Sequence, residues 1–232
     1  DAHRSQPPFL LVDLGTNAET VLCASGTLYA CSAAAGPCFE GATLSCGMAG
    51  QDGAIDTVSP DPERGLSFTT IGDAPARGLC GSGVLDALAL LLDAGIVDET
   101  GRLEADASPL GARITDDALT FTDSVRFTQK DIREVQLAKA AVRAGIDILL
   151  REAGMETADV ARLYLAGGFG SAMRPESVRR LCDAAAQVCG GRCAVFAGAD
   201  GAYHYAVIHA GQDIRGLVKD MNAALHGRGG GR

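Results

Sequence analysis

The segment Phe9–Thr20, FLLVDLGTNAET, constrains the fold of this chain more than any other. An apolar run ends at Asp13, a Gly-Thr-Asn turn follows, and a second apolar run covers Val21–Ala24. This order predicts a strand, a tight turn and a return strand. The first run is nearly all apolar, which predicts a strand that is buried on both faces.

The turn carries groups that suit a phosphate ligand. Gly15 can adopt backbone angles that other residues avoid, which lets N–H groups approach a ligand closely. Thr16 and Asn17 add short polar side chains, and Asp13 beside them suits a hydrated magnesium ion. An ordinary hairpin with an exposed aspartate explains the same residues, and this segment alone does not separate the two interpretations.

Composition and charge narrow the class of protein. The chain has 232 residues, which is enough for a sizeable core. It contains 30 glycines, and many of them lie in expected loops at 78–83, 165–171, 190–191 and 198–201. Glycine-rich loops at strand ends favour a nucleotide-type ligand. The net charge of −9 disfavours nucleic acid or an anionic membrane as a partner. No apolar run reaches about 18 residues, so we expect no membrane span and a cytoplasmic protein.

The termini and the cysteines give further expectations. The chain starts at Asp1, so we expect a piece of a longer protein, with a linker at 1–8 and a disordered tail at 226–232. None of the eight cysteines forms a CxxC pair, which excludes zinc-ribbon and ferredoxin spacings. Free thiols are favoured over disulfides, because the chain is long and no secretion signal is visible.

Hydrophobic periodicity predicts a mixed α/β layered domain without an internal repeat. Strands are expected at 9–14, 18–24, 27–32, 54–58, 66–71, 162–166 and 193–197, with short strands within 119–127. Helices are expected at 82–94, 129–153, 174–188 and 202–225, with partly helical structure in 33–55 and a loop at 98–118. Thr128 and Asp131 predict a capping box at the start of the longest helix.

Two motifs in this order resemble the second lobe of the acetate/sugar kinase, heat-shock chaperone and actin superfamily, the ASKHA ATPases. The first is the phosphate loop Asp13-Leu14-Gly15-Thr16, of D-x-G-T type. The second is the strand and glycine motif Ala166–Gly170, about 150 residues later. The resemblance implies an actin-like, ribonuclease H-like ATPase lobe over 9–225. Its mixed sheet would have helices on both faces, and a small α+β part would be inserted at about 33–127.

Within the superfamily, the chain resembles the reductive activators of corrinoid proteins. The resemblance rests on the segments VDLGTNAETVL (12–22), SAAAGPCFEGATLSCGMAGQDGAI (32–55), GLCGSGVLDALALLLDAGIVD (78–98), QLAKAAVRAGIDILL (136–150) and LYLAGGFGS (163–171). Two departures stand out. Ala18 replaces an expected glycine, and FAGADGAYHY (196–205) replaces an expected GN-x-S segment.

The resemblance implies a function. Such activators use ATP to drive the one-electron reduction of a cobalt(II) corrinoid to cobalt(I), with the electron supplied by an iron–sulfur module elsewhere in the polypeptide. ATP and Mg²⁺ are therefore the expected cofactors of this chain, and a [2Fe-2S] cluster is expected only in a missing N-terminal region. A corrinoid protein or corrinoid-dependent methyltransferase is the expected partner, and a homodimer is the expected assembly. The lobe alone should have weak or undetectable ATPase activity.

The resemblance also implies site roles. Asp13 would hold magnesium through water or orient the attacking water. The backbone of three residues would hold phosphate oxygens: Gly15, Thr16 and Asn17. The adenosine would lie against Gly167, Gly168, Phe169 and Gly170. The polar residues at i, i+3 and i+7 of the long helix would reach the adenine and ribose: Gln136, Lys139 and Arg143.

Other interpretations stay open. The scaffold could serve a small-molecule kinase, or a radical-dehydratase activator in which Cys38 or Cys46 would have to bridge a cluster. It could also be a non-catalytic docking and dimerisation module with a vestigial ATP site. The helix start at Gly81-Ser82-Gly83 suits an anion, but tight helix–sheet packing explains it equally well.

Overall fold

A computed structural model describes residues 7–35, 38, 43–98, 100–166, 192–199 and 202–209, the last two ranges as backbone. The chain divides into two compact units, Asp1–Ala34 with Ala141–Arg232, and Ala35–Ala140. The strands are β1 (Phe9–Leu14), β2 (Ala18–Ala24), β3 (Thr27–Ala33), β4 (Ala54–Asp61), β5 (Gly65–Thr70), β6 (Gly78–Leu79), β7 (Ile114–Thr115), β8 (Ala118–Thr120), β9 (Arg126–Thr128), β10 (Arg162–Ala166), β11 (Arg192–Ala199) and β12 (Ala202–His209). The α-helices are α1 (Gly81–Asp93) and α2 (Gln129–Glu152).

The first unit is built on a six-stranded mixed sheet in the order β12-β11-β10-β1-β2-β3. β1 pairs in parallel with β10 and antiparallel with β2, which places the predicted phosphate loop at the end of a central strand. The meander predicted for the first three strands is confirmed. One face of this sheet packs against the second half of α2, through a core that includes Leu10, Val12, Leu22, Leu149 and Leu150.

The second unit contains two three-stranded sheets, ordered β5-β4-β6 and β7-β8-β9. The predicted hairpin is formed by β4 and β5, and α1 packs on β4. Leu66, Leu79, Leu91 and Leu119 are among its fully buried side chains.

The start and the end of α2 follow the sequence signals. The Thr128 N–H donates to the Asp131 carboxylate at 2.7 Å, and the Asp131 N–H donates to Thr128 Oγ1 at 3.2 Å, so the capping box is confirmed. Ser45 donates two further hydrogen bonds to the same buried carboxylate. Gly154 follows the helix with a φ of 66°, the left-handed backbone expected of a glycine stop.

Two secondary-structure predictions are wrong. Residues 202–209 form β12, antiparallel to β11, and not the start of the closing helices. The sequence AYHYAVIH is rich in aromatic and β-branched residues, which favour a strand. Strands β7 and β8 begin inside the loop predicted at 98–118, because Asp116 and Asp117 turn the chain with positive φ angles of 48° and 54°. The helix predicted at 174–188 lies outside the described residues.

None of the helices in the described part of the chain is long and apolar enough to cross a bilayer.

Candidate functional site

The turn after β1 is a three-residue loop closed by the pair Leu14–Ala18. Inside it, the Gly15 N–H donates to the Asn17 carbonyl at 2.9 Å. The Gly15 N–H is therefore hydrogen-bonded within the turn, and this bond does not support the expectation that it binds a phosphate oxygen. Thr16 and Asn17 are exposed at the tip of the turn.

The reason expected for Gly15 is also corrected. Its φ lies outside the left-handed region, so the backbone there does not demand glycine. A Cβ built at Gly15 would meet only the Asn17 carbonyl oxygen, at 3.6 Å, which is an ordinary van der Waals distance. The described fold therefore leaves open space where a side chain could stand.

The second motif begins beside the first. In the parallel register of β1 and β10, Asp13 lies opposite Ala166, the last residue of β10. Parallel neighbours end at the same edge of a sheet, so both strands deliver the chain to that edge side by side. The glycine motif Gly167–Gly170 follows Ala166 directly in sequence and lies outside the described residues.

The sequence interpretation missed a second carboxylate in this turn. In the antiparallel register of β1 and β2, Glu19 lies directly opposite Asp13. Such a pair projects from the same face, with Cβ atoms about 5 Å apart. The hydroxyl of Ser32 on β3 donates to Glu19 at 3.2 Å. Counting strand alternation on both sides of the three-residue turn would have found this pair.

Asp13 and Glu19 lie on the face of the sheet opposite the one that packs on α2. Leu10 and Val12 point into the core with α2, and strand alternation therefore turns Asp13 away from it. Two facing carboxylates repel one another, and oxygen ligands are what magnesium prefers. The donor set at the end of β1 thus fits a magnesium ion held directly or through water.

The three polar residues predicted on α2 have different surroundings. Gln136 accepts a hydrogen bond from Arg133 at 2.7 Å and donates to the Thr100 carbonyl at 3.1 Å. These contacts explain Gln136 without a ligand. Lys139 is exposed, and Arg143 forms an i,i+4 ion pair with Asp147 at 2.9 Å. Gln136 and Lys139 belong to the second unit and Arg143 to the first.

Comparison with known proteins shows the family to which this chain belongs. The model of the family "C-terminal domain of RACo the ASKHA domain" matches residues 8–182. The chain belongs to this family. The match includes the D-x-G-T loop, Glu19, β10 and the Gly-Gly motif, and the mixed α/β fold agrees with the ASKHA prediction.

Two relatives of this chain agree with its assignment to the family. The chain is similar to the corrinoid activation enzyme RamQ of Eubacterium limosum, at 35% identity over 179 residues, 70% of this chain and 30% of that protein. It is also similar to the [Co(II) methylated amine-specific corrinoid protein] reductase of Methanosarcina barkeri, at 31% identity over 196 residues, 75% of this chain and 34% of that protein.

A solved structure, a reductive activator for corrinoid,iron-sulfur protein, matches with a TM-score of 0.64 and 33% identity. The match covers 78% of this chain and 30% of that one. The chain therefore spans about a third of the length of the relatives it matches.

The start of α1 in this family member is built for packing. A Cβ at Gly83 would lie 2.1 Å from the Ile55 carbonyl oxygen, so the helix approaches β4 too closely for any side chain. Ser82 Oγ donates to the Asp56 carbonyl at 2.8 Å, and the Cys80 thiol donates to the Ile55 carbonyl at 3.4 Å. These contacts favour the packing explanation of the Gly-Ser-Gly motif over an anion site.

The described cysteines are free thiols, as predicted: Cys23, Cys31, Cys38, Cys46 and Cys80. Cys38 is 2% exposed, and burial raises the pKa of its thiol to about 11, so it stays protonated at neutral pH. Cys46 donates to the Ser124 carbonyl at 3.6 Å. Within the described ranges, no group of three or more metal-ligating side chains comes together.

Proposed function

We propose that this chain is the ATP-binding lobe of an activator that reduces a cobalt(II) corrinoid to cobalt(I). Membership of the RACo C-terminal family supports the proposal, as do the names of its relatives, which describe corrinoid activation and corrinoid protein reduction. The observation that carries it is the register of β1 and β10, which brings Asp13 and Ala166 side by side where the two motifs begin.

In this proposal the chain holds Mg-ATP at the edge of the sheet. Asp13 and the facing Glu19 would hold the magnesium ion through water. The ion neutralises charge on the phosphate oxygens when it is bound. Thr16 and Asn17 place backbone N–H groups at the tip of the turn, and the open space at Gly15 lets a phosphate approach the backbone. Gly167 and Gly168, with Phe169 and Gly170, accept the adenosine.

The role of the nucleotide is to drive an uphill electron transfer. Water cleaves the terminal phosphoanhydride of ATP to give ADP and phosphate, and one electron from an iron–sulfur module outside this chain converts cobalt(II) to cobalt(I). Nucleotide binding can assist only by favouring a conformation with a different affinity for the partner. The partner is a corrinoid protein or a corrinoid-dependent methyltransferase, and the activator is a homodimer.

Calorimetry tests the nucleotide site. Titration of Mg-ATP into the full-length protein that contains this chain should give saturable heat. Asp13→Ala should weaken binding by tenfold or more, because it removes a carboxylate that would hold the ion through its waters. The matched control is Asp123→Ala, an exposed aspartate in the other unit, which should bind as the wild type does. Equal affinity of the Asp13 variant and the wild type would contradict the proposed site.

A second measurement tests the reduction. Under anaerobic conditions with a chemical reductant, the corrinoid spectrum should change from cobalt(II) to cobalt(I) only when Mg-ATP is present. A protein that gives no heat with Mg-ATP and docks on its partner all the same would instead be the non-catalytic module. A dehydratase activator would need Cys38 or Cys46 at a bridging cluster; Cys38 is 2% exposed and Cys46 is partly exposed, and iron analysis of the anaerobically purified protein tests this alternative.

A further inference from the structure

On the face of the sheet that carries Asp13 and Glu19, β3 adds a third polar side chain. The register places Ser32 directly opposite Glu19, which itself lies directly opposite Asp13. Facing residues of paired strands project from the same face, so the three side chains form one row across the sheet, the polar row (Asp13, Glu19 and Ser32). The other two residues that β3 places on this face are apolar: Leu28 and Ala30. The polar side chains therefore gather at the end of the face where β1 reaches the Gly-Thr-Asn turn.

The hairpin between β2 and β3 determines that Ser32 meets Glu19. A two-residue turn at Ser25 and Gly26, with φ angles of 48° and 80°, connects the strands without a shift in register. The pair that closes such a turn is hydrogen-bonded, and the two kinds of pair alternate from there, so Glu19 and Ser32 form a non-hydrogen-bonded pair. The side chains of such a pair lie closer together than those of a hydrogen-bonded pair, which suits a contact with a residue as short as serine.

Ser32 makes a specific contact with the glutamate. Its hydroxyl donates to Glu19 Oε1 at 3.2 Å, and the described residues donate no other side-chain hydrogen bond to that carboxylate. One carboxylate oxygen is thus engaged on the β3 side of the row. The second oxygen remains as an acceptor for a water molecule or a hydrated ion.

Ser32 lies too far from Asp13 to touch an ion bound there. The two residues are on strands separated by β2, and neighbouring strands lie about 4.8 Å apart, so their backbones are about 10 Å apart. Magnesium binds its oxygen ligands at about 2.1 Å. Ser32 can therefore influence such an ion through Glu19, which stands between them in the polar row.

Glu19 depends on such a contact more than Asp13 does. Glutamate has three rotatable side-chain bonds, and Glu19 is exposed, so the strand alone does not fix the position of its carboxylate. Repulsion from the facing Asp13 favours conformations that carry the Glu19 carboxylate away from the site when no ion is bound. A hydroxyl donor at a fixed position on β3 limits these conformations. An arriving ion then meets a carboxylate that is already in place, which lowers the entropy cost of binding.

We propose that Ser32 is a positioning residue of the candidate magnesium site, and that its hydroxyl holds one oxygen of Glu19 so that the other faces the waters of the ion. The role of Ser32 rests on the proposed function, because it requires an ion held by Asp13 and Glu19. Ser32 itself touches neither the ion nor the nucleotide. Its contribution is to the magnesium dependence of nucleotide binding.

Calorimetry at a series of fixed magnesium concentrations tests this role. ATP is titrated into the full-length protein that contains this chain, and the magnesium concentration that gives half-maximal binding is measured. Ser32→Ala should raise that concentration by about three- to tenfold, less than is usual for losing the partner of a direct metal ligand, because water lies between Glu19 and the ion. Saturating magnesium should return the affinity toward the wild-type value. The thermal midpoint without nucleotide should not change, because substitutions of exposed residues rarely affect stability.

Three further variants separate a positioning role from a structural one. Ser32→Thr keeps the hydroxyl and suits a strand, so it should restore the wild-type magnesium dependence. In a Glu19→Ala background, Ser32→Ala should have no further effect, because the two residues act as one unit. The matched control is Ser67→Ala, which removes the hydroxyl of an exposed serine on β5 and should bind as the wild type does.

Three results would overturn the role of Ser32: wild-type magnesium dependence in Ser32→Ala, no rescue by Ser32→Thr, or an undiminished effect in the Glu19→Ala background. If the wild type itself gives no heat with Mg-ATP, the proposed function fails and the role of Ser32 fails with it. If the wild type binds Mg-ATP and Ser32→Ala matches it at every magnesium concentration, the role of Ser32 fails alone.

Discussion

Gly15 directly follows β1 and Gly83 lies in the first turn of α1, shortly after β6, but the surroundings of the two glycines differ. At Gly83 a Cβ would lie 2.1 Å from a backbone oxygen of β4, whereas at Gly15 the nearest atom would be 3.6 Å away. The packing of α1 requires the first glycine, while nothing in the described fold requires the second. In the proposed function, a phosphate that approaches the backbone would supply a requirement for Gly15 that the described residues do not.

Buried hydroxyls give the same contrast. Ser82 on α1 is 4% exposed and donates to the Asp56 carbonyl at 2.8 Å. Thr20 on β2 is fully buried, and its hydroxyl finds no partner among the described residues. The start of α1 is satisfied by its own fold, whereas Thr20, which lies opposite Val12 and so faces the core with α2, carries a hydroxyl that is unpaired among the described residues. Four substitutions can break or sharpen this comparison.

The largest effect should follow from Gly83→Ala. The new methyl group would overlap the Ile55 carbonyl, so α1 must move off β4 or the strand must distort. We expect a loss of about 3 kcal/mol in the free energy of unfolding, at the upper end of overpacking costs. Urea unfolding followed by circular dichroism would measure it. A loss below about 1 kcal/mol would show that α1 can shift freely, and the contrast with Gly15 would fail.

Gly15→Ala should leave stability nearly unchanged and weaken nucleotide binding. Stability should stay within about 1 kcal/mol of the wild type, or rise, because alanine fits the backbone and restricts the unfolded chain. Mg-ATP affinity of the full-length protein should fall by tenfold or more, because the methyl group occupies the space proposed for a phosphate. Calorimetry and thermal unfolding of the same preparation give both quantities. Unchanged affinity would indicate that this turn is an ordinary hairpin.

The physical origin of these differences explains what could be predicted from the sequence. The apolar run Phe9–Leu14 and the signals at Thr128 and Gly154 for the ends of a helix are local in sequence, and they predicted β1 and α2 correctly. The role of Gly83 depends on a strand almost thirty residues earlier, and the Asp13–Glu19 pair depends on hairpin register. From the sequence alone, packing and anion binding explain the start of α1 equally well. The distance from Gly83 to the backbone of β4 cannot be read from a sequence.

Residues 202–209 are a second place where local sequence signals did not predict the structure. Hydrophobic periodicity predicts a helix there, whereas the aromatic and β-branched residues of the same segment favour a strand. These residues form a strand because they pair along their whole length with β11, from Arg192 to Ala199. Strand propensity and the pairing with β11 therefore outweigh a helical periodicity in this segment.

A smaller effect is expected for Ser82→Ala. This change removes the hydroxyl that donates to the Asp56 carbonyl, and we expect a loss of about 1 to 2 kcal/mol in the free energy of unfolding. The measurement is the urea midpoint at constant slope, so that a change in the unfolded state is not mistaken for a change in stability. Ser67→Ala, an exposed serine on β5, is the matched control and should cost less than about 0.5 kcal/mol.

Thr20→Val should have the smallest effect and the opposite sign. Removing a buried hydroxyl that has no partner removes a desolvation cost and keeps the volume of the side chain, so the free energy of unfolding should rise by up to about 1 kcal/mol. The urea midpoint should therefore move up for Thr20→Val and down for Ser82→Ala. If Thr20→Val instead loses about 1 kcal/mol, its hydroxyl has a partner in the native protein, and the two regions are equally well satisfied. The contrast in hydroxyl pairing between the two regions would then fail, and only the contrast between the two glycines would stand.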